Sequence, residues 1–201
     1  LIQSKWGGIA GISLNANQEA SAPVTVRPNP ENVVYPIIDL EVVPGGGFQL
    51  TANGRVLPLG EVKMPFTSWG SIRDARGLAI APDVPGGWIA AANYIKKIGN
   101  PPPLVFPSFD QSGPIADLEY DARRRQLAVV HGNGAFSLCG RREFATYNPI
   151  HIEDDTAIDI ETSPAGYYIL TRKGKVYEAG GDQAVLLHED PDLGEGLVTF
   201  P

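Results

Sequence analysis

Six carboxylates recur in one pattern: Asp39 and Glu41, Asp117 and Glu119, and Asp159 and Glu161, each pair separated by a single residue. Paired acids are the equipment of glycoside hydrolysis, where one carboxyl protonates the leaving oxygen and the other acts as nucleophile or base. That division of labour requires surroundings that hold one group protonated and leave the other ionised. A pair repeated three times in equivalent surroundings does not supply the difference. The acids are therefore expected to be structural, hydrogen-bonding one repeat to the next or holding turns, and no catalytic residue is assigned.

Less repetitive segments lie between these pairs, and loops carry function because packing constrains them least. They contain Trp69, Phe109 with Asp110, His151 with Asp154, and His188 with Asp190. Trp69, Phe109, His151 and His188 follow one another at 40, 42 and 37 residues, which predicts that they gather on one face. Aromatic rings beside carboxylates suit a sugar or a peptide, so these seven residues form the candidate ligand-binding set. Asp190, Asp192 and Glu195 offer hard oxygens at short spacing, the donor type that calcium takes. They do not make an EF-hand loop, and calcium is the one cofactor with any support. His131, His151 and His188 have no zinc-ligand spacing, and the chain has neither a G-x-S-x-G elbow nor a phosphate-binding loop.

These segments punctuate a beat of forty residues. Asn53-Gly54, Asn133-Gly134 and Lys173-Gly174 stand at offsets of 80 and 40, each followed six residues later by Gly60, Gly140 or Gly180. Trp88 to Gly99 fills the vacant slot if its turn is one residue shorter. Aromatic, branched and threonine residues precede each turn, as in Phe48 to Ala52 and Tyr167 to Thr171, and predict strands. The glycines predict two-residue hairpin turns. Upstream of every hairpin lies an alternating apolar stretch, at Ile37, Gly77, Ile115 and Ala157, broken at Pro44, Pro82, Asp121 or Pro164. It reads as an inner strand followed by the two strands of the hairpin.

The segment from Ser163 to Gly180, SPAGYYILTRKGKVYEAG, resembles the blade repeat of bacterial β-propellers, and three looser copies extend the resemblance over roughly residues 37–181. No blade ends in a WD dipeptide, which disfavours the WD40 kind. The resemblance implies an all-β, single-domain propeller with blades near 37–76, 77–114, 115–156 and 157–195. Glu195 to Pro201 reads as one more inner strand, so a fifth blade shared between residues 1–36 and 196–201 is expected, with an outer strand near Ser21 to Arg27. Sharing a blade between the termini removes exposed sheet edges. Trp6-Gly7-Gly8-Ile9 resembles Trp69-Gly70-Ser71-Ile72, so Gly11 to Asn15 could instead be an inner strand, and the ring part of a larger propeller completed by another chain.

Composition limits the partners. Sixteen basic against twenty-three acidic residues give a net charge of −7, which disfavours nucleic acid. Arg123-Arg124-Arg125 reads as a solvated turn. No run of eighteen apolar residues predicts a membrane span. The single cysteine, Cys139, reads as a buried structural thiol. The chain starts at Leu1 without a methionine, so a removed leader or a longer gene product is expected, and an extracellular or periplasmic location is favoured over the cytoplasm. The leading functional expectation is a non-catalytic interaction module presenting a loop face to a protein partner or to copies of itself. A glycan-binding module comes second and a hydrolase third.

Overall fold

The computed structural model describes residues 2–3, 9–11, 24–27, 35–43, 46–62, 72–109, 112–147, 150 and 154–189, and among these it is all-β with no helix. Strands β1 (Ile2–Gln3), β2 (Ile9–Gly11) and β3 (Val24–Arg27) form a small antiparallel sheet. Four antiparallel sheets of one plan follow. The first holds β4 (Ile37–Val43), β5 (Gly46–Thr51) and β6 (Val56–Gly60), and the second β7 (Ala75–Ala81), β8 (Gly86–Ala91) and β9 (Ile95–Gly99). The third holds β10 (Ile115–Asp121), β11 (Gln126–His131), β12 (Phe136–Cys139) and β13 (Phe144–Tyr147). The fourth holds β14 (Ala157–Thr162), β15 (Tyr167–Thr171), β16 (Lys175–Gly180) and β17 (Gln183–Glu189).

Strands within each sheet pair in chain order, and the leading strands β4, β7, β10 and β14 lie beside one another in succession. This arrangement fits a propeller-like fold. Among the described residues the series of sheets does not close into a ring. Pro201 and the other residues of the expected C-terminal strand lie outside the described residues. Gly11 is described as part of β2, and β3 is the strand within the predicted Ser21 to Arg27 stretch.

The core is built between sheets, because each is sandwiched by its neighbours and strand alternation sends successive side chains to opposite faces. In the second sheet Leu78, Ile80, Ile89 and Ala91 pack toward Phe48, Leu50 and Val56 of the first. The intervening residues Ala79, Ala81, Trp88 and Ala90 pack toward Leu118, Tyr120, Leu127 and Val129 of the third. Ala128, Val130 and Phe136 turn the other way, against Ile160, Tyr167 and Ile169 of the fourth. Cys139 is fully buried in this packing and burial pushes its thiol up to about 12, as a structural cysteine requires.

The hairpin turns are longer than the two residues their glycines predict. Gly54 N donates to Thr51 O at 2.8 Å and Thr51 N to Arg55 O at 2.9 Å, enclosing a three-residue loop. Its first two residues keep ordinary backbone angles, while Gly54, Gly134 and Gly174 take φ of 79°, 87° and 77°. This is a type I turn closed by a left-handed residue, not the mirror-image turn in which both central residues need positive φ. In the second sheet Ala91 N donates to Tyr94 O at 2.9 Å, so that turn is one residue shorter, as the spacing predicts.

The loops also stitch the sheets together. Ile72 N donates to Asn53 O, Ile115 N to Ala92 O and Ala157 N to Gly132 O, each linking a hairpin loop to the start of the next sheet. At Gly54 an added Cβ would meet the Cβ of Ile72 at 2.5 Å. Gly54→Ala therefore combines a left-handed backbone penalty with a clash in the seam between the first two sheets. It is expected to cost about 1–3 kcal/mol in chemical denaturation, with the midpoint lowered at unchanged slope.

Candidate functional site

A β-bulge opens every leading strand at the same place. Pairing skips one residue between Ile37 and Asp39, Ala75 and Gly77, Ile115 and Asp117, and Ala157 and Asp159. A bulge re-aims the side chain beside it. Three of the four sheets thus present an aspartate at one level and a glutamate two residues later; the second sheet has Gly77 and Ala79 instead. A Cβ on Gly77 would collide with Asp117 Oδ1, so the glycine vacates the space that this carboxyl fills.

The aspartates bridge sheets. Asp39 Oδ2 accepts the amide of Leu78 in the second sheet at 2.5 Å, and Asp39 Oδ1 accepts Leu40 N at 2.6 Å. Asp117 Oδ2 accepts the amide of Ile160 in the fourth sheet at 3.2 Å. Asp117 Oδ1 is buried without a hydrogen-bond partner, and burial, the charges of Asp39 and Asp159 and a side-chain hydrogen bond with Asp159 all raise this carboxyl. These bonds agree with the structural role expected of the repeated acids.

The glutamates lie nearer the mouth. Glu41, Glu119 and Glu161 are half-buried and line a depression of about 370 Å³ with Arg123, Ser163 and Tyr168. Burial raises all six carboxyls, and their mutual repulsion raises most of them further. Desolvation and the charge of Asp159 bring Asp39 up to about 7, against the pull of its two amide bonds. Desolvation lifts Glu119 to about 8, although a hydrogen bond from Glu41 opposes the rise, and lifts Glu161 to about 10 with help from the charge on Glu119. Glu41 and Asp117 are raised well above the ordinary carboxylate range. Burial and mutual repulsion thus hold protons on part of the cluster at neutral pH.

Three of the residues expected to form a ligand face, Phe109, Asp154 and His188, lie among the described residues. Phe109 is only 8 % exposed, its ring packed on Phe106 and on His131 at 5.6 Å, so it offers no face to a sugar. His131 Nδ1 bonds Gly113 O at 3.0 Å, and desolvation lowers its pKa. His188 was expected in a loop leading to an inner strand; it lies within β17, paired with Val176 and exposed, because the fourth sheet carries its outer strand through this stretch. Asp154 is exposed at a left-handed φ of 55°. Trp69, Asp110, His151, Asp190, Asp192 and Glu195 lie outside the described residues. Among the described residues no group of histidine, cysteine or carboxylate side chains has the arrangement to hold a metal ion.

The turn of Arg123 to Arg125 has more structure than a solvated loop. Asp121 Oδ1 accepts the amides of Arg123 and Arg124, and Asp121 Oδ2 pairs with the Arg124 guanidinium, which also sits 5.9 Å from the Tyr167 ring centre. Arg123 on one side of this ridge borders the acidic depression. Arg125 on the other side lines a separate cleft of about 410 Å³ with Tyr120, Arg141 and the proline run Pro101–Pro103. Both hollows open where the leading strands end.

No family model matches the sequence, and the curated proteins yield no match. Among solved structures the chain is similar to apo AztD from Citrobacter koseri, at 12% identity and a TM-score of 0.43, covering 83% of this chain and 49% of that one. It is also similar to the extracellular domain of the putative hybrid two component system BT4673 from B. thetaiotaomicron, at 12% identity and a TM-score of 0.46, covering 98% of this chain and 34% of that one. The chain thus spans less than half the length of either.

The acid cluster makes stability depend on pH. A carboxyl whose pKa is raised on folding stabilises the fold fully below its unfolded value of 3.8 or 4.5 and loses that contribution as the pH rises through its folded value. The melting temperature should fall as the pH is raised from about 4 through 7 to 10, the window spanned by Asp39, Glu119 and Glu161. Glu161 keeps its proton in the fold up to about 10 but ionises when unfolded, and Glu161→Gln removes this linkage, so at pH 9 the variant should melt at least about 2–4 °C above the wild type, on the order of 1 kcal/mol. At pH 4 the two should coincide, and calorimetry across this range checks both points.

Proposed function

We propose that this chain is a non-catalytic interaction module of the β-propeller type that associates with a second copy of itself through β17. In this reading the four sheets are full blades, and residues 1–36 with 196–201 make up a shared fifth. A larger ring completed by another chain is the alternative closure. The observation that carries the interaction reading is the outer strand of the fourth sheet. β17 is a sheet edge among the described residues, and Val185, Leu186 and Leu187 are 62%, 47% and 52% exposed.

An exposed edge with consecutive apolar residues is a template for strand pairing, which monomeric proteins ordinarily block with charge, proline or a covering segment. The strand Gln-Ala-Val-Leu-Leu-His-Glu has its charged end only at Glu189. Paired antiparallel about a twofold axis through Leu186, it sets Val185 opposite Leu187, Ala184 opposite His188 and Gln183 opposite Glu189. No like charges face each other, as an isologous contact requires. The carboxylates on the leading strands support the non-catalytic half of the reading, since Asp39 and Asp117 are engaged with backbone amides of neighbouring sheets.

Sedimentation equilibrium tests it. The wild-type chain should give twice the monomer mass at micromolar concentration, and Leu186→Lys should weaken association at least tenfold, about 1.4 kcal/mol, while the two melt alike once diluted to monomers. A wild-type monomer at high concentration, or a dimer indifferent to this substitution, would sink the proposal.

A further inference from the structure

We propose that the cleft between the second and third sheets binds a small aromatic carboxylate. Its volume of about 410 Å³ lies within the range of small-molecule sites. The walls are apolar and flat: Ala81 and Val84 from the second sheet, Leu104 and the proline run on one flank, and Tyr120 on the other. Tyr120 is 9 % exposed and its ring lies 5.1 Å from that of Trp88 at 34°, so the wall is fixed by packing behind it. The proline segment is pinned at both ends, by Asn100 N on Pro85 O at 2.9 Å and by Val105 N on Gly140 O at 2.8 Å. A slot held open in this way costs little ordering when a flat ring enters.

The polar groups at the rim specify the charge. Arg125 and Arg141 both line the cleft and are exposed, and among the described residues neither guanidinium makes an ion pair or a hydrogen bond. Arg124, in the same turn as Arg125, is by contrast tied to Asp121. Asp83 also lines the cleft, leaving an excess of one positive charge at its mouth. Arg125 adopts φ of 52°, a conformation in which glycine would be free of strain. What this position contributes is therefore the side chain. Two unengaged guanidiniums above an aromatic and prolyl slot match a carboxylate borne on a planar ring, since the guanidinium fork suits carboxylate geometry and the slot suits the ring.

Calorimetric titration with naphthalene-2-carboxylate, its neutral amide and the corresponding naphthylmethylammonium tests the assignment on the full chain. The carboxylate should bind saturably with one site per chain, and the amide and ammonium at least tenfold more weakly. Arg125→Gly and Arg141→Ala should each weaken the carboxylate at least fivefold. Glycine relieves the left-handed strain at position 125, so loss of binding there cannot be loss of the fold, and unchanged melting confirms it. Arg55→Ala, in a hairpin of the first sheet, should leave binding unchanged. Equal binding of acid and amide, no saturation by about 5 mM, or indifference to both arginine substitutions would overturn the proposal. Association through β17 is read separately by sedimentation, so either result stands without the other.

Discussion

The bond between a carboxylate of one leading strand and a backbone amide of the next sheet organises this molecule. Strands hydrogen-bond only within their own sheet, so sheets stacked face to face are otherwise joined by apolar contact, which has no direction. Asp39 on Leu78 and Asp117 on Ile160 add a directional link at equivalent points. The bulge beside each aspartate turns the side chain toward the neighbouring sheet, and the hairpin loops repeat the linkage at the other end through Ile72, Ile115 and Ala157. Apolar packing supplies the bulk of the cohesion, and these bonds set the relative height of the sheets.

Concentrating acids where sheets converge has an electrostatic cost that the fold offsets by protonation. Six carboxyls in partial burial cannot all ionise, and the raised values of Asp39, Glu119 and Glu161 show the charge being shed. Arg123 lines the same depression. The arginine turn thus serves two hollows of opposite character, an acidic one on the side of Arg123 and an apolar, cationic one on the side of Arg125.

Much of the fold was legible because its determinants are local. The glycines at 54, 134 and 174 mark hairpins since each occupies a left-handed position, and the alternation after Ile37, Ile115 and Ala157 marks strands buried on one face or both. The turn length was not legible: the same glycine closes a two-residue or a three-residue loop, and the choice rests on the backbone angles of the residue before it. The repetition of Asp39 and Asp117 pointed to the bonds they make between sheets, and the glutamates beside them take no such part. The cleft was not, because Tyr120, Arg125, Arg141 and Pro101 to Pro103 come from separate segments and meet only when two sheets pack. Phe109 misled for a related reason: aromatic residues in loops can cap an intersheet core as readily as face solvent, and spacing does not distinguish the two.

Gly77 makes the repeated units non-interchangeable. Duplication builds such chains from equivalent modules, and equivalent modules invite recombination that deletes or shuffles them. Here the second module alone lacks the aspartate and the glutamate, and any side chain at its bulge would intrude on Asp117 Oδ1 of the third. Asp117 and Asp159 already stand in succession, so an aspartate in the second module would require Asp117 Oδ1 to leave the space that Gly77 opens to it. The absence of a single side chain therefore records the order of the modules, and it does so in steric terms that selection on stability can read.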